Sequence, residues 1–504
     1  MEFLELLTHW AATERIAAID PDGARLSYAE LERRSDALAA DWMASLPKGA
    51  AVIIRGDKEN DIVTCMFAGL KSGHPYAFVP DYFPEKKVQS IVNASNAALL
   101  ISLCGIPEFD CGTEVIDQAA VDAVCARPFT PARAEVGIDD MVCVFFTSGS
   151  TGNPKGVMLT RGNIECMEEW WTGATQAVPD AARILNFSPY TFSASLVTIY
   201  SYMLRHGGTL NSVSRATSQD FQKLMELIFR VDPNCLDCTP SFIDLCMQNE
   251  AFGNSTLPSM RLISVGGEAL SRRIAATMLQ RFPLADIVNG YGATETTAGA
   301  IDCKVTEDML NTDGPLPIGY IAKGSIVRVV DENRVPVPDG TNGEMVIISG
   351  VVSLGYMGEP EKTARSFFVD EETGLRGYYT GDVVRKDADG LITYIGRTNN
   401  MVKIGGYRVE LEEVELRLNA VEGVVKGVVV PVYEEDRATM MTAFVQLAAD
   451  CPKGLPTFAR IKRTMKETLP DYMVPSKILF VEAFPKNNND KLDRNALVEQ
   501  VRVK

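Results

Sequence analysis

An unbroken apolar run at residues 141–146 (MVCVFF) passes directly into TSGSTGNPKG at 147–156, and no other junction in the chain limits the fold so tightly. Six consecutive β-forming side chains leave no polar face, so this strand must be buried on both sides, as in a parallel sheet covered by helices. The following segment cannot continue it. Thr147, Ser148, Ser150 and Thr151 carry hydroxyls, while Gly149 and Gly152 permit positive φ, so that backbone N–H groups can turn inward around an anion. Lys155 adds a mobile cation. The pattern is not a Walker loop, which needs Lys followed by Ser or Thr at the start of a helix; Asn153 and Pro154 discourage a helix here. An ordinary Gly/Ser turn is the plain alternative, but it rarely gathers so many donors, and the run reads as a polyphosphate cradle.

The strand needs neighbours, and the chain supplies them in alternation. Helical spacing at 26–45 is followed by a strand at 51–54, a helix at 61–72, a strand at 76–79, a helix at 85–94 and a strand at 98–102. The rhythm returns with a helix at 221–230, a strand at 262–265, a helix at 272–281 and a strand at 286–288. Such alternation predicts two α/β subdomains with parallel sheets and crossover helices. After about residue 326 the period falls to two, with turns at 331–333, 339–340 and 389–390, which predicts a small antiparallel β-rich subdomain. Beyond Arg397 come a short strand, an acidic helix at 410–418, a valine run at 424–430 and a helix at 458–469, a small α+β unit. The expected organisation is α/β: an N-terminal domain over 1–397 and a mobile C-terminal domain over 398–504.

Size and composition exclude several classes of function. A chain of 504 residues with 46% apolar and 23% charged residues is too long for one core and ordinary for a globular protein. No apolar run is long enough to cross a membrane, and glutamates stand where a signal peptide would carry lysines, so a cytoplasmic protein is expected. Eleven cysteines scattered along the chain suit reduced thiols. Cys235 and Cys238 form a CxxC with no second pair at zinc spacing. With three histidines, a histidine-built metal centre is not expected to be the main chemistry. A net charge of −17 argues against nucleic-acid binding. The charge is uneven: residues 398–504 hold sixteen basic and fifteen acidic residues, which makes the C-terminal part relatively basic.

Further segments carry chemistry. Asn289, Gly290, Tyr291, Gly292, Ala293, Thr294 and Glu295 follow a strand and end in a carboxylate, suited to a base resting on a glycine floor and to Mg²⁺ at Glu295. Asp382, in a Tyr-Thr-Gly-Asp turn, offers two acceptor oxygens to ribose hydroxyls. Gly396 and Arg397, the stretch KIGGYRVE at 403–410 and NDKLDR at 489–494 complete the series. In this order the segments resemble the ANL superfamily of adenylating enzymes, which comprises acyl-CoA synthetases, nonribosomal-peptide adenylation domains and luciferases. The likeness spans nearly the whole chain through KSGHPYAFVPDYFPEKKVQSIV, TSGSTGNPKGVMLTRGNI, LPIGY, GYRVELEEVE and LPDYMVPSKI. Within the superfamily it is nearest to the stand-alone ligases that load D-alanine onto a carrier protein.

The resemblance implies ATP and Mg²⁺, a small carboxylic or amino acid, and as acceptor an acidic carrier protein with a phosphopantetheine arm. Its alternatives are CoA as acceptor, or a catalytically weak nucleotide-binding homologue. It further implies that residues 147–155 hold the β- and γ-phosphates, that 289–294 hold adenine and the α-phosphate, and that Tyr394 and Arg397 lie along the ribose. Lys491 would bridge the acid and the nucleotide during adenylation, Asn399 would be the hinge, and Gly405 and Gly406 would admit the pantetheine arm. The implied acid pocket is Ser193, Val197, Ser264, Gly266, Gly290, Ala298 and Gly299. These linings are small, which predicts an acid larger than alanine.

The chain also departs from the pattern. Ser193 stands where amino-acid-activating members carry an Asp for the α-ammonium, so either another group holds the amine or the substrate has none there. Ala293 replaces the usual Pro, and Asp490 the usual Gly beside the lysine.

Overall fold

The computed structural model describes residues 3–147, 154–174, 178–312, 314–397, 401–434, 437–448, 451–485 and 492–502. The chain separates into two compact units, one comprising Met1–Asp81, Val92–Phe146 and Gly156–Thr398, the other Tyr82–Ile91, Thr147–Lys155 and Asn399–Lys504. Two short segments from early in the chain therefore group with the C-terminal residues.

The first unit contains two sheets. In the six-stranded sheet Val52–Gly56 lies between Tyr76–Pro80 and Leu99–Ser102, all parallel, and Met141–Thr147 pairs in parallel with Tyr76–Pro80. Val52, Ile53 and Ile54 are all solvent-free, as expected of a strand covered on both faces. One covering helix, Asn60–Ser72, ends at Gly73 in the left-handed conformation at φ 70°. On it the fully buried Lys71 is held by Glu32 at 2.8 Å and Asp36 at 2.7 Å.

The second sheet has fourteen strands. Its parallel part runs through Asp286–Tyr291, Leu262–Gly266, Cys235–Cys238, Arg183–Asn186, Thr209–Ser212 and Ile16–Ile19. Strand periodicity sends alternate residues into two different cores. Ile184, Cys235, Leu262 and Val288 join the one packed by helix Arg161–Ala174 and by Val197–Leu204, whereas Leu185, Leu236, Ile263 and Ile287 join the other. Cys235 and Cys238, three apart on one strand, fall on opposite faces and are both buried thiols.

An antiparallel pair, Ile16–Ile19 with Arg25–Ser27, already stands at the far edge of this sheet, and the antiparallel β-rich part begins at Ile301–Lys304 rather than at the expected residue 326, because the chain turns back at 292–300 along the strand it has just left. The β-rich part hydrogen-bonds onto the parallel part as one continuous sheet through Pro317–Ile321 and Ile392–Arg397. The stretch Val197–Leu204 (VTIYSYML), apolar at almost every position, forms wide i→i+5 turns, with the Arg205 N–H donating to Tyr200 O.

The second unit has a three-stranded sheet in which Arg437–Leu447 is central, antiparallel to Val424–Glu434 and parallel to Lys477–Phe480. Leu411–Asn419 and Leu455–Lys466 pack Val414, Leu418, Ile461 and Met465 against Val429 and Ala443. The latter helix starts three residues before its expected position because Pro456 fits the first turn, where no N–H is needed. Among the described residues no helix is long and apolar enough to cross a membrane.

Candidate active site

Parallel strands bring their carboxyl ends to one edge, and in open α/β sheets ligands bind in the crevice outside that edge. Here the edge carries Phe187 to Ser193 after Arg183–Asn186, Thr239 after Cys235–Cys238, Gly266 at the end of Leu262–Gly266, and residues 292–299 after Asp286–Tyr291. Asn289, buried on the last of these strands, donates from Nδ2 to Pro317 O at 2.9 Å.

Tyr291, Asp382 and Arg397 come together although they are far apart in sequence. The Tyr291 hydroxyl donates to Asp382 Oδ2. Asp382 and Arg397 are cross-strand partners on Arg376–Lys386 and Ile392–Arg397; Arg397 Nε lies 3.1 Å from Asp382 Oδ1, and Nη2 donates to Thr380 O at 3.0 Å. Burial, and then the Asp382 carboxylate, push the Tyr291 phenol well above its usual range, so it stays a donor. Asp382 Oδ1 is buried and accepts no well-directed hydrogen bond among the described residues. Paired with Arg397, it still has acceptor capacity for a further hydrogen bond. Tyr394 lies on the same strand as Arg397, opposite Val384.

Residues 292–299 form a strained turn. Ala293 precedes a single tight turn, Thr294–Thr296, after which Thr297 and Ala298 adopt φ of 50° and 72°, a conformation that costs a non-glycine residue about 1–2 kcal/mol. The buried Thr297 hydroxyl donates to Val351 O at 2.6 Å, which anchors the turn. Gly292 is required here, since a Cβ would sit 2.2 Å from Ala298 O. Glu295, solvent-free, accepts from the Tyr356 hydroxyl at 2.8 Å. Among the described residues no group of three or more His, Cys, Asp or Glu is placed to hold a metal.

The expected acid-pocket residues lie on the same edge and on the elements facing it. Ser193 and Val197 are buried at the start of the 194–204 helical stretch. Ser264, Gly266 and Gly290 are in register on adjacent strands. Of the expected small linings, the space beside Gly299 is taken by a tryptophan of helix Arg161–Ala174, whereas Gly290 leaves room for a side-chain atom at ordinary contact distance. A Cβ at Gly299 would come within 2.7 Å of Trp170 Cζ3, and one at Gly290 within 3.8 Å of Trp171 Cη2. Glycine at 299 accommodates the Trp170 indole.

Ser148, Gly149, Ser150, Thr151, Gly152, Asn399, Asp490 and Lys491 lie outside the described residues. Thr147 is described, and its buried Oγ1 has no hydrogen-bond partner among the described residues. Within the second unit Lys155 Nζ is 3.6 Å from Glu410 Oε1, to which Arg408 also donates at 3.2 Å. Gly405 and Gly406, at φ 55° and 82°, are the two central residues of a hairpin closed by Ile404 and Tyr407, where positive φ is required at both.

Sequence reasoning missed Tyr356, Trp170, Trp171 and Lys58. Lys58 is buried and donates to Asn186 Oδ1 at 2.9 Å and Ser188 O at 2.7 Å, beneath the stretch that leads to Ser193. Burial lowers its pKa to about 7, with Asp57 acting weakly the other way. Only the adjacent Trp pair was a local signal; the other contacts join residues more than sixty positions apart.

Known proteins resemble this chain from end to end. The family model described as AMP-binding enzyme matches residues 7–357, and that of the AMP-binding enzyme C-terminal domain matches 413–491. A D-alanine--D-alanyl carrier protein ligase of Lactiplantibacillus plantarum is 34% identical over 96% of this chain and 95% of its own, and one of Streptococcus agalactiae is 33% identical over 99% of each. Among solved structures, an NRPS protein containing adenylation and PCP domains has a TM-score of 0.83 at 26% identity, covering 100% of this chain and 85% of its own. The amide bond synthetase McbA of Marinactinospora thermotolerans shares the fold, with a TM-score of 0.84 at 20% identity over the full length of both. With its strand-edge site and two matching family models, the chain belongs to the AMP-binding enzyme family of the adenylate-forming ANL superfamily.

Proposed function

We propose that this protein is an ATP-dependent acid–thiol ligase that activates a small carboxylic or amino acid as its acyl adenylate and passes it to the phosphopantetheine thiol of a carrier protein. A carboxylate oxygen of the acid attacks the α-phosphorus of ATP and pyrophosphate leaves; the thiolate sulfur then attacks the acyl carbon and AMP leaves. The observation that carries the reading is the cluster of Tyr291, Asp382 and Arg397 at the strand edge, with a carboxylate whose oxygens have acceptor capacity left for a ribose hydroxyl. The full-length likeness to carrier-protein ligases supports the second half-reaction.

In this reading Thr147, Ser148, Gly149, Ser150, Thr151, Gly152 and Lys155 take the β- and γ-phosphates, and residues 289–294 take adenine and the α-phosphate. Asp382, Tyr394 and Arg397 take the ribose. Glu295 would hold Mg²⁺: it is a buried hard-oxygen donor oriented by Tyr356, the kind of single carboxylate that suffices for Mg²⁺ beside nucleotide phosphates. Bound there, the ion would neutralise charge on the phosphates. Residues 1–397 form the adenylate-forming core and 398–504 a mobile domain that brings Lys491 to the reacting oxygens as a preorganised cation. The domain turns at Asn399, after which the narrow Gly405-Gly406 turn gives the pantetheine arm room. The relatively basic C-terminal part suits an acidic carrier, and the use of ATP places the work in the cytoplasm.

The test is acid-dependent exchange of pyrophosphate into ATP across D- and L-amino acids, β-amino acids, aryl acids and short fatty acids, with D-alanine first. An active acid is then offered holo-carrier protein and free CoA in parallel. Exchange with at least one acid and thioester formed on the carrier are expected. Silence across the panel rejects the adenylation reading, and thioester formed only on CoA rejects the carrier protein.

A further inference from the structure

Asp237 has no part in the site as described so far, yet the sheet places it there. It is the third residue of the buried strand Cys235–Cys238, opposite Ser264 on the adjacent strand, and Ser264 is opposite Val288, two residues before Gly290. In-register residues of parallel strands share a face, so Asp237, Ser264 and Gly290 all point to the side packed by Trp171 and Val197. Its neighbours on the strand, Cys235, Leu236 and Cys238, are buried, but Asp237 keeps accessible surface. One residue from the carboxyl end of its strand, Asp237 lies at the edge where ligands of open α/β sheets bind. The Ser188 hydroxyl donates to Asp237 O at 3.4 Å, which ties this strand to the stretch ending at Ser193.

The electrostatics indicate a missing partner. Burial pushes the Asp237 carboxyl up to about 7, opposed only by the Ser264 hydroxyl. Among the described residues no basic side chain pairs with it, whereas a structural buried carboxylate normally has such a partner. The family's carboxylate for the substrate amine is absent at Ser193, and a carboxylate is present instead on the neighbouring strand of the same pocket.

We propose that Asp237 is the residue that receives the ammonium group of the substrate, and that the acid activated here is therefore an amino acid held by a carboxylate rising from the sheet rather than from position 193. The inference rests on the adenylation reading above. An ammonium–carboxylate bond in a dry pocket neutralises both charges, and Ser264 then orients the second oxygen.

The experiment compares pyrophosphate exchange by the wild-type protein and by Asp237→Asn. Each amino acid is paired with its amine-free counterpart, D-alanine with propionate and β-alanine with propionate among them. The wild-type protein is expected to favour one amine-bearing acid over its counterpart by about 10- to 100-fold in kcat/KM, the scale of one charge-assisted hydrogen bond. In Asp237→Asn that preference should collapse to within a few-fold. Retention of the preference by Asp237→Asn, or equal use of amine-bearing and amine-free acids by the wild type, overturns the inference while leaving adenylation standing. Silence of the wild type with every acid removes the adenylation reading and this inference with it. Because the readout is a ratio within one protein, a general loss of folded enzyme cannot imitate the expected result; a variant that exchanges neither acid but binds AMP normally counts against the role.

Discussion

At the nucleotide end of the proposed pocket, Tyr291, Asp382 and Arg397 hold one another through a hydroxyl, a carboxylate and a guanidinium; at the acid end, Trp170 fills space beside Gly299, and Asp237 has no cation among the described residues. The first arrangement is cross-linked before any ligand arrives. The second is shaped by volume, with its one charge uncompensated. Binding of a common cofactor-like substrate is thus assigned to a preformed polar network, whereas selection among acids is left to packing and a single ionic contact. That division suits recognition, because polar groups that find their partners reject analogues strongly, while apolar walls discriminate only by size.

The comparison can be broken experimentally, starting with the group that should serve both ends. Lys491→Ala is expected to lower adenylation by about 10² to 10³ or more, the cost of losing one preorganised donor, and to affect thioester formation from preformed adenylate less. Pyrophosphate exchange and single-turnover thiolation separate the two; equal losses would remove Lys491 from its assigned step. Next is the nucleotide end. Asp382→Asn should cost about 10- to 100-fold in kcat/KM for ATP, the price of weakening a charged acceptor, with the ranking of acids unchanged. A changed ranking would show that the two ends are not independent. The smallest effect is expected at the acid end: Trp170→Ala opens the volume beside Gly299, and acids one or two carbons longer should gain about 10-fold relative to the best wild-type acid, the value of one or two buried methylenes. No gain would mean that Trp170 is packing for the sheet rather than a wall of the pocket.

Much of this was legible before the fold was known, and for a definite reason. The strand at 141–147 and the helix at 272–281 are written in consecutive residues, as apolar runs or periodicity, so each could be read locally. The run at 147–156, the 289–295 segment and Asp382 are likewise short motifs, and the roles proposed for them come from their residue types. The reading failed where distance in sequence mattered. A glycine at 299 looks like free space until helix Arg161–Ala174 lays an indole against it, and Asp237 looks like one more polar residue between cysteines until the register with Ser264 sets its face. The early onset of antiparallel pairing at Ile301–Lys304 was hidden for the same reason, since nothing within those four residues names the strand they will meet.

The amino-acid sequence by itself determined the alternation of elements and the family, because backbone propensity, glycine conformation and hydroxyl or carboxylate identity act over a few neighbouring residues. Only the tertiary structure decided that the Trp170 indole lies against Gly299 and that Asp237 shares a face with Ser264, because packing and burial depend on side chains brought together by strand register and helix placement, which no short window of sequence contains.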